Sequence, residues 1–355
     1  MQLSDLVPYG LSQVVANRYR SVLHPAAMPG RIVRIDRGRP QVAVPGGIRS
    51  CVVGSHLSDS AVAIGDWVVA RDVPGYELVI DLVLERTSAI VRRDPSPGDN
   101  RDQVLAANLD EVLVLHRLDR KLNLGGLERY LVMVRDGGAV PVIVLSKADL
   151  VTPDVASAAA AAAAELAPDI SVFVVSAVSG DGLGAVAGLP APEKTVGLVG
   201  ESGSGKSTLV NSLVGSDLLD TGETRRGDGK GKHTTTVRQL VLVPAGGVLI
   251  DTPGLRAVGL SRGSEGVSQV FDDVEQLMGA CRFRDCAHGT EPGCAVNEAI
   301  ESGDLAQRRF ESYVSLQREQ SRVTAREAAV AGRAEAKRIA VMRRKMLQSR
   351  EPRRR

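Results

Sequence analysis

Residues 195–215 read TVGLVGESGSGKSTLVNSLVG, and this stretch decides the fold. An apolar run, TVGLV, precedes GESGSGKS, which matches the pattern G-x-x-x-x-G-K-[ST], and a segment compatible with a helix follows. Glycines let the backbone curl so that successive N–H groups face one centre, and the start of a helix adds positive potential. The strand, loop and helix context therefore predicts a phosphate-binding loop rather than a glycine- and serine-rich loop with a chance lysine.

The residues of this loop have separate expected roles. Lys206 is expected to contact the β- and γ-phosphates of a nucleotide and to take part in catalysis, and Ser207 to bind Mg²⁺. The other expected nucleotide-binding residues of the loop are Gly200, Glu201, Ser202, Gly203, Ser204, Gly205 and Thr208. They would act mainly through backbone N–H groups directed at the phosphates.

A second phosphate element is DTPG at 251–254, which ends the apolar run GVLID. Asp251 is expected in the Mg²⁺ shell, and the Gly254 N–H is expected to meet the γ-phosphate. A plain turn would be the simpler interpretation of these four residues alone. The phosphate-binding loop in the same chain favours the magnesium interpretation.

The stretch between these elements contains GKGKHTTT at 229–236 within a segment rich in glycine and charge. A segment of this composition buries little apolar surface, so we expect a mobile loop that is ordered by a triphosphate. One threonine of 234–236 is expected to bind Mg²⁺ and the γ-phosphate. Thr235 is taken as the candidate, although the residues do not distinguish the three.

Two short motifs earlier in the chain also follow apolar runs, SKAD at 146–149 and SA at 176–177. They resemble the guanine-reading elements of Ras-like GTPases, Asn-Lys-x-Asp and Ser-Ala-x. Guanine presents N1–H and N2–H₂ donors, so a fixed carboxylate at Asp149 selects it over adenine. Lys147 would lie along the base and the Ala177 N–H would meet O6. The expected base-site residues are Ser146, Lys147, Ala148, Asp149, Ser176 and Ala177.

Ser146 departs from the asparagine that normally braces the phosphate-binding loop and the base. Its hydroxyl is shorter, so we expect it not to span that distance and to weaken nucleotide binding while the guanine preference is retained. The order of the motifs is also unusual, because the base elements precede the phosphate elements along the chain. A circular permutation produces this order and leaves the folded site intact.

Three of the four cysteines lie within fourteen residues, in the pattern Cys281-x₄-Cys286-x-His288-x₅-Cys294. Three thiolates and one imidazole supply a full tetrahedral Zn²⁺ shell, with no open position for catalysis. Buried free thiols beside a chance histidine are the alternative, and a redox role lacks the Cys-x-x-Cys pattern. We therefore expect a structural zinc site. The remote Cys51 is expected to be an inert thiol in a core or strand.

The rest of the chain predicts an α/β protein with two flanking domains. Strands predicted over 31–35, 41–44, 51–53 and 66–70 fit a small OB-type β-barrel. Apolar runs at 111–116, 140–146, 170–176, 195–199, 238–243 and 247–251 alternate with helical segments, which predicts a doubly wound, mainly parallel sheet. The predicted regions are an N-terminal extension (1–29), the barrel (30–90), a circularly permuted P-loop GTPase domain (91–262), a zinc-binding helical domain (263–318) and a basic tail (319–355).

Charge is distributed unevenly along the 355 residues. The net charge is +2, but residues 317–355 carry +9 and the remainder −7. A basic tail predicts a polyanionic partner, with RNA favoured over a membrane, although a solvated charged helix is an equal alternative. The N-terminus lacks a signal-peptide pattern and the chain lacks a long apolar span, so we expect a cytoplasmic protein. We also expect a monomer.

Taken together, the chain resembles the circularly permuted, small-ribosomal-subunit-dependent GTPases of the RsgA/YjeQ family. The matching stretches are AANLD (106–110), SKADL (146–150), SAVSGDG (176–182), GESGSGKST (200–208), GKHTTT (231–236), DTPG (251–254), CRFRDCAH (281–288) and EPGCAV (291–296). The resemblance implies an OB domain, a GTPase domain and a zinc-bearing helical domain. It also implies GTP/GDP, Mg²⁺ and Zn²⁺ as cofactors, with a role in late assembly of the small subunit and hydrolysis stimulated by that subunit.

Two features qualify this resemblance. Residues 31–49 carry five arginines and one aspartate, which suits RNA phosphates, but Trp67 and Tyr76 are the only evident aromatics of the barrel, so base stacking should be minor. Leu255 follows DTPG where Ras-type enzymes have the water-positioning glutamine. The resemblance makes His233 the catalytic candidate for orienting water, although a solvated histidine is nearly as well favoured.

Two other functions fit parts of this pattern. A binding module with incidental hydrolysis is favoured by Leu255. A P-loop ATPase or kinase is disfavoured by Asp149, because that carboxylate reads guanine.

Overall fold

The computed structural model divides the chain into two compact units, Met1–Ser261 and Arg262–Arg355. None of the helices that the structure describes is both long and apolar enough to cross a bilayer. The structure describes residues 3–22, 27–36, 38–57, 62–73, 75, 77–92, 103–216, 218–219, 239–252 and 265–348.

Strands occur only in the first unit of the described chain. They are β1 (Ala27–Asp36), β2 (Arg39–Val44), β3 (Gly47–Val53), β4 (Trp67–Arg71), β5 (Leu78–Val83), β6 (Ala89–Arg92), β7 (Gln103–Ala107), β8 (Glu111–Arg117), β9 (Val140–Ser146), β10 (Val172–Val174), β11 (Thr195–Gly200), β12 (Gln239–Leu242) and β13 (Val248–Asp251).

The α-helices occur in both units. They are α1 (Gln13–Val22), α2 (Leu124–Asp136), α3 (Pro153–Leu166), α4 (Leu183–Ala187), α5 (Lys206–Val214), α6 (Glu265–Val270), α7 (Asp272–Gly279), α8 (Ala295–Ser302) and α9 (Gln307–Gln348). Short 3₁₀ helices cover Leu3–Tyr9 and Ala148–Leu150.

The first five strands form a closed barrel. Their order is β1-β2-β3-β5-β4, and β4 pairs back with β1. Every barrel pairing is antiparallel except that of β3 with β5. Alternate side chains point inward, and Ile32, Val42, Cys51 and Ile80 are fully buried there. The predicted barrel is therefore confirmed, and Cys51 is a core thiol whose burial raises its pKa to about 12.

Several elements escaped the sequence patterns. The fifth barrel strand and the pair β6 and β7 were not among the predicted strands, and the predicted strand over 170–176 is paired only across Val172–Val174. Residues of the N-terminal segment form α1, whose Tyr19 hydroxyl bonds to the Gly30 and Val68 carbonyls of the barrel at 2.7 and 3.0 Å.

The sheet continues beyond the barrel, because β1 also pairs with β12, with Arg34 opposite Gln239. The six strands of this second part carry the motifs in the order β10-β9-β8-β11-β13-β12, parallel throughout except that β12 runs antiparallel to β13. Helices α2 and α3 pack over β8, β9 and β10, whereas α5 packs over β11 and β13. Leu113 and Leu115 of β8 share a buried cluster with Leu209 and Val210 of α5. The doubly wound α/β architecture is confirmed.

A buried arginine joins the barrel to this sheet. Arg31 on β1 has no exposed surface, and its Nη2 donates to Thr195 Oγ1 at 2.8 Å and to the Asn108 carbonyl at 3.4 Å. Its Nε donates to the Gly65 carbonyl at 3.3 Å and its Nη1 to the Tyr9 carbonyl. Counting Arg31 among arginines suited to RNA was therefore wrong, because its guanidinium faces the protein interior.

The second unit is helical, as predicted for the region around the cysteines. Helix α9 is 42 residues long and includes most of the basic segment. The basic segment is therefore helical through Gln348, which is compatible with both a polyanion-binding tail and a solvated charged helix. The remaining tail residues lie outside the described part of the chain.

Candidate nucleotide site and cysteine cluster

The predicted nucleotide-binding residues gather at one edge of the parallel sheet. Strand order reverses between β8 and β11, since the chain moves from β8 to β9 on one side and from β11 toward β13 on the other. Crevices beyond the carboxyl ends of strands at such a reversal are the usual ligand sites of open α/β sheets. The phosphate-binding loop begins at this point, where β11 ends at Gly200.

The loop has a backbone that requires glycine. Gly200, Gly203 and Gly205 have φ angles of +148°, +78° and +86°. A Cβ atom on Gly200 would lie 2.5 Å from the Leu115 carbonyl of the neighbouring strand. Helix α5 starts immediately afterwards at Lys206, so its free N–H groups face the loop interior.

Lys206 is held inside its own loop. Its Nζ donates to the carbonyls of Gly200 and Glu201, both at 2.9 Å, and approaches Ser204 Oγ at 3.4 Å. The residue is 8% exposed, and burial lowers its pKa while Asp251 and Glu201 oppose the shift. A cation held among oxygen atoms beside a helix N-terminus is suited to phosphate binding.

Asp251 ends β13 beside Leu198 of the strand that leads into the loop. Its Oδ1 is buried and has no hydrogen-bond partner among the described residues, and burial raises the pKa of the carboxyl while Lys206 opposes this. A buried, unpartnered carboxylate oxygen close enough to Lys206 to interact with its charge fits a Mg²⁺ ion, which prefers such oxygen ligands. Gly254, His233, Thr235 and the other threonines of 234–236 lie outside the described residues.

The base-site residues come together from two loops. Ser176 Oγ donates to Asp149 Oδ1 at 2.6 Å and accepts the N–H groups of Val178 and Ser179 at 3.2 and 3.0 Å. Lys147 has a left-handed backbone, with a φ of +62°. These contacts fix the Asp149 carboxylate at the edge of the sheet that also carries the phosphate-binding loop.

Ser146 reaches further than expected. Its Oγ lies 2.8 Å from the Ser204 carbonyl of the phosphate-binding loop and 3.2 Å from the His116 carbonyl. The expectation that this hydroxyl is too short to span the distance was therefore wrong for the contact with the loop. The reason is that β9 and β11 flank a single strand, β8, whose end lies between the two residues.

Arg117 is the last residue of β8 and Asp119 lies two residues beyond it; both were missed by the sequence analysis. Their side chains form an ion pair, and Asp119 Oδ2 lies 3.8 Å from Lys147 Nζ. The hydrogen bond from Arg117 lowers the pKa of Asp119. A Cβ on Gly203 would lie 3.0 Å from Arg117 Nη1, so this guanidinium borders the phosphate-binding loop. Their position at the carboxyl end of a parallel strand was the available signal.

His116 precedes them and is also buried beside the loop. Its Nε2 accepts the Asn123 N–H at 3.2 Å, which places the ring proton of the neutral imidazole on Nδ1. Burial lowers the pKa of His116, and the carboxylate of Glu201 opposes the shift. The neutral ring therefore anchors the start of α2.

The predicted zinc ligands of the second unit form one cluster. Ligand atoms of Cys281, Cys286, His288 and Cys294 lie within 4.8 Å of one another. His288 Nδ1 is 3.6 Å from the sulfurs of Cys281 and Cys294, which are 4.0 Å apart. Tetrahedral Zn²⁺ with Zn–S bonds of about 2.3 Å places sulfurs about 3.8 Å apart. The donor set and its spacing fit zinc.

The turns around this cluster are held by the backbone and by one carboxylate. The Glu291 side chain accepts the N–H groups of Ala287 and Gly289 at 3.1 and 2.7 Å. Arg282 N donates to the Gly293 carbonyl at 3.1 Å. The turn at 291–293 thus brings the last cysteine back toward the first.

Comparison with known proteins identifies relatives over nearly the full length. A family model described as RsgA GTPase matches residues 83–261, about half of the chain. A protein of Streptomyces avermitilis named small ribosomal subunit biogenesis GTPase RsgA is 43% identical over 326 residues, covering 90% of this chain and 87% of the relative. Its namesake in Streptomyces coelicolor is also 43% identical, covering 91% and 88%.

Two solved structures share the fold. YjeQ from Thermotoga maritima matches with a TM-score of 0.59 at 24% identity, covering 83% of this chain and 98% of that one. YloQ, described as a circularly permuted GTPase, matches with a TM-score of 0.59 at 23% identity, covering 84% and 97%. The permuted order of the motifs, the fold and the sequence relatives agree, and the chain belongs to the RsgA GTPase family.

Proposed function

We propose that this GTPase acts in late maturation of the small ribosomal subunit, binding its rRNA and hydrolysing GTP faster when bound to it. The family relationship supports the hydrolysis of GTP. The names of the relatives support a role with the small subunit. The observation that carries the proposal is the convergence of a phosphate-binding loop and a serine-anchored carboxylate, Asp149, at one sheet edge.

The geometry supports a role for each base-site and phosphate-site residue. Asp149 would accept the N1–H and N2–H₂ groups of guanine, and the Ala177 N–H would donate to O6. Lys206 and the loop amides would hold the β- and γ-phosphates, and Ser207 and Asp251 would hold Mg²⁺. When bound, the ion supplies positive charge that offsets the charge developing on the phosphate oxygens.

The residues assigned to the attacking water stay proposals. His233 would orient that water, and one threonine of 234–236, with Thr235 as the candidate, would bind Mg²⁺ and the γ-phosphate. Gly254 would donate its N–H to the same phosphate. His233→Ala is expected to lose turnover stimulated by the small subunit, and full stimulated turnover in that variant would exclude the role.

Basic surfaces on the barrel and the tail are the proposed rRNA contacts. Arg34, Arg39 and Arg49 are exposed or half-exposed, and each pairs with a nearby carboxylate at 2.8 to 3.4 Å. Exposed ion pairs of this kind are weak, so the arginines can exchange carboxylates for phosphates.

Zinc bound by the cysteine cluster would stabilise the helical domain. We propose that this domain covers residues 263–318 and that the basic tail covers residues 319–355. The monomeric state and cytoplasmic location stay proposals as well.

GTP turnover tests the proposal. It is measured with the protein alone, with purified small subunits and with purified large subunits as the matched control. We expect stimulation by small subunits only. Equal turnover in all three would overturn the subunit-dependent function and favour a binding module in which hydrolysis is incidental.

Asp149→Asn tests the base assignment separately. The amide donates where the carboxylate accepts, so preference should shift from guanosine toward xanthosine triphosphate. The ratio of turnover with the two nucleotides, each with small subunits, is the measurement. An unchanged ratio would show that Asp149 does not read the base, whether or not the small subunit stimulates turnover.

Pelleting with small subunits tests the contribution of the basic residues. The complex is sedimented with GDP or with a non-hydrolysable GTP analogue over a range of salt concentrations. If Lys and Arg contacts to phosphates dominate, binding should fall steeply as salt rises. A complex insensitive to salt would exclude the basic surfaces as the main contacts.

A further inference from the structure

A serine of the phosphate-loop helix contacts the loop expected to read the base. Ser212 Oγ on α5 lies 3.1 Å from the Ala177 carbonyl and 3.0 Å from the carbonyl of Thr208, one turn earlier in the helix. The Thr208 contact is the local bond open to any helical serine. The Ala177 contact joins residues that are 35 positions apart in the chain.

The two peptide groups that flank Ala177 are held on both sides. The Ser176 carbonyl accepts the Gly180 N–H at 2.9 Å, and the following peptide is fixed by Ser212 at its carbonyl and by Ser176 Oγ at the Val178 N–H. The Ala177 N–H itself has no protein acceptor within the described part of the chain. The hydrogen bonds of the neighbouring groups therefore set the direction of the Ala177 N–H, and this N–H is available to bond to a ligand.

We propose that Ser212 is a positioning residue for guanine specificity, which acts by holding the Ala177 peptide so that its N–H meets the purine O6. The inference rests on the proposed base site. Ser212 lies on the helix that begins with Lys206, so its hydroxyl connects the phosphate-binding element directly to the base-reading loop. A hydroxyl with one proton can bond to Thr208 or Ala177, and the Ala177 bond is the one that matters for the base.

The test uses a ligand that lacks O6. Ser212→Ala is compared with the parent for GDP and for the diphosphate of 2-aminopurine riboside, which keeps the 2-amino group but has no O6. Loss of one hydrogen bond should weaken GDP binding about five-fold, with analogue affinity changed less than about two-fold. Ser212→Thr keeps a hydroxyl and should restore GDP affinity to within about two-fold of the parent.

Ser157→Ala is the matched control, because Ser157 is an exposed helical serine on a different helix, α3. It should change neither affinity. Equal weakening of GDP and the analogue in Ser212→Ala would mean that the serine stabilises the pocket in general, which overturns the inference. Unchanged GDP affinity would overturn it too.

The parent protein provides a separate check on the base site. Its preference for GDP over ADP reports whether guanine is read at all. A parent that prefers GDP, combined with a Ser212→Ala variant that weakens both ligands equally, refutes the positioning role alone. A parent that binds ADP as tightly as GDP refutes the base site itself.

Discussion

Charged groups are buried in two places, at the junction between the barrel and the parallel sheet and at the phosphate-binding loop. The two places differ in how completely these groups are hydrogen-bonded. At the junction, Arg31 donates to four oxygen acceptors and its guanidinium lies 4.6 Å from the centre of the Trp67 ring. At the loop, Asp251 Oδ1 has no partner among the described residues and Lys206 bonds only to oxygens of its own loop.

Asp66 lies near the same junction, and both of its carboxylate oxygens are also fully hydrogen-bonded. Its Oδ1 accepts Arg86 Nε at 2.7 Å, and its Oδ2 accepts Arg86 Nη2 and the Ala63 N–H, both at 2.7 Å. Burying polar groups is costly unless they are bonded, so a complete network indicates architecture and an incomplete one indicates a place for a ligand. The contrast predicts that substitutions at the two places affect different properties.

Arg31→Ala should produce the largest loss of stability. Truncation removes the hydrogen bonds that join β1 to the start of β11 and leaves buried carbonyl and hydroxyl acceptors unpaired, at a cost of about 1–3 kcal/mol for each fully buried acceptor. Burial lowers the pKa of Arg31 only to about 10, so the guanidinium is charged at neutral pH. Urea unfolding measures the effect.

Arg49→Ala is the control for that measurement, because Arg49 makes an exposed ion pair with Asp72 at 3.2 Å. It should cost less than about 1 kcal/mol. Equal costs for the two variants would mean that the junction does not hold the barrel to the sheet.

Two aspartates allow a matched comparison of the two regions. In Asp66→Asn the new amide must place donors against Arg86 or Ala63, so we expect a loss of about 2 kcal/mol in the free energy of unfolding. In Asp251→Asn the amide can occupy the unbonded Oδ1 position, and the free energy of unfolding should be unchanged or increased. Urea unfolding measures both variants.

The two variants should differ in activity in the reverse order, with the larger loss of turnover in Asp251→Asn. Asp251→Asn weakens a proposed Mg²⁺ ligand and should lower subunit-stimulated turnover about 100-fold or more. Asp66→Asn should keep turnover within a few-fold below its unfolding temperature. If Asp251→Asn destabilises as much as Asp66→Asn and keeps its turnover, the unpartnered oxygen is not a ligand site.

His116, which is buried beside the phosphate-binding loop, should make the free energy of unfolding depend on pH. Burial holds its pKa below the ordinary value of about 6.5, so the unfolded chain takes up this proton first as the pH falls. The free energy of unfolding therefore decreases from about pH 6.5 down to the folded-state pKa, with a slope of at most about 1.4 kcal/mol per pH unit. The carboxylates of Glu201 and Asp119 oppose the shift, the positive charge of Arg117 favours it, and a hydrogen bond from the ring to the Arg117 backbone opposes it.

His116→Gln should flatten this dependence. Glutamine has no proton to gain in this range and can accept the Asn123 N–H. Urea midpoints for the two proteins at about pH 7.5 and about pH 5.5 give the difference in slope. Parallel pH dependences would show that another group is responsible.

The sequence predicted the parts of the molecule that local patterns determine. Strand and helix periods gave the parallel sheet and most of the barrel, and the spacing of the cysteines and His288 predicted the observed cluster. The phosphate-binding loop was readable because its glycines are required by its own backbone, as the φ of +148° at Gly200 shows. These features depend on residues close together in the chain.

The features that were missed depend on which strands become neighbours. Arg31 resembles any other arginine in a basic stretch until Thr195, 164 positions away, is placed against it. The pairing of Asp119 with Lys147 follows from β8 lying beside β9, and no motif marks it. The reach of Ser146 depends on the same arrangement, because β8 is the only strand between β9 and the phosphate-binding loop.

Ser146 provides the smallest expected effect and ties the base site to the phosphate site. Because its hydroxyl already bonds to the Ser204 carbonyl at 2.8 Å, Ser146→Ala should weaken GDP binding about three- to ten-fold through the loss of one hydrogen bond. Ser146→Asn should gain no more than about three-fold, since the brace it would supply to the loop is already present. Calorimetric titration with GDP measures both. A gain of ten-fold or more in Ser146→Asn would show that serine braces the loop poorly, and that the asparagine of other GTPases contributes through the base rather than through the loop alone.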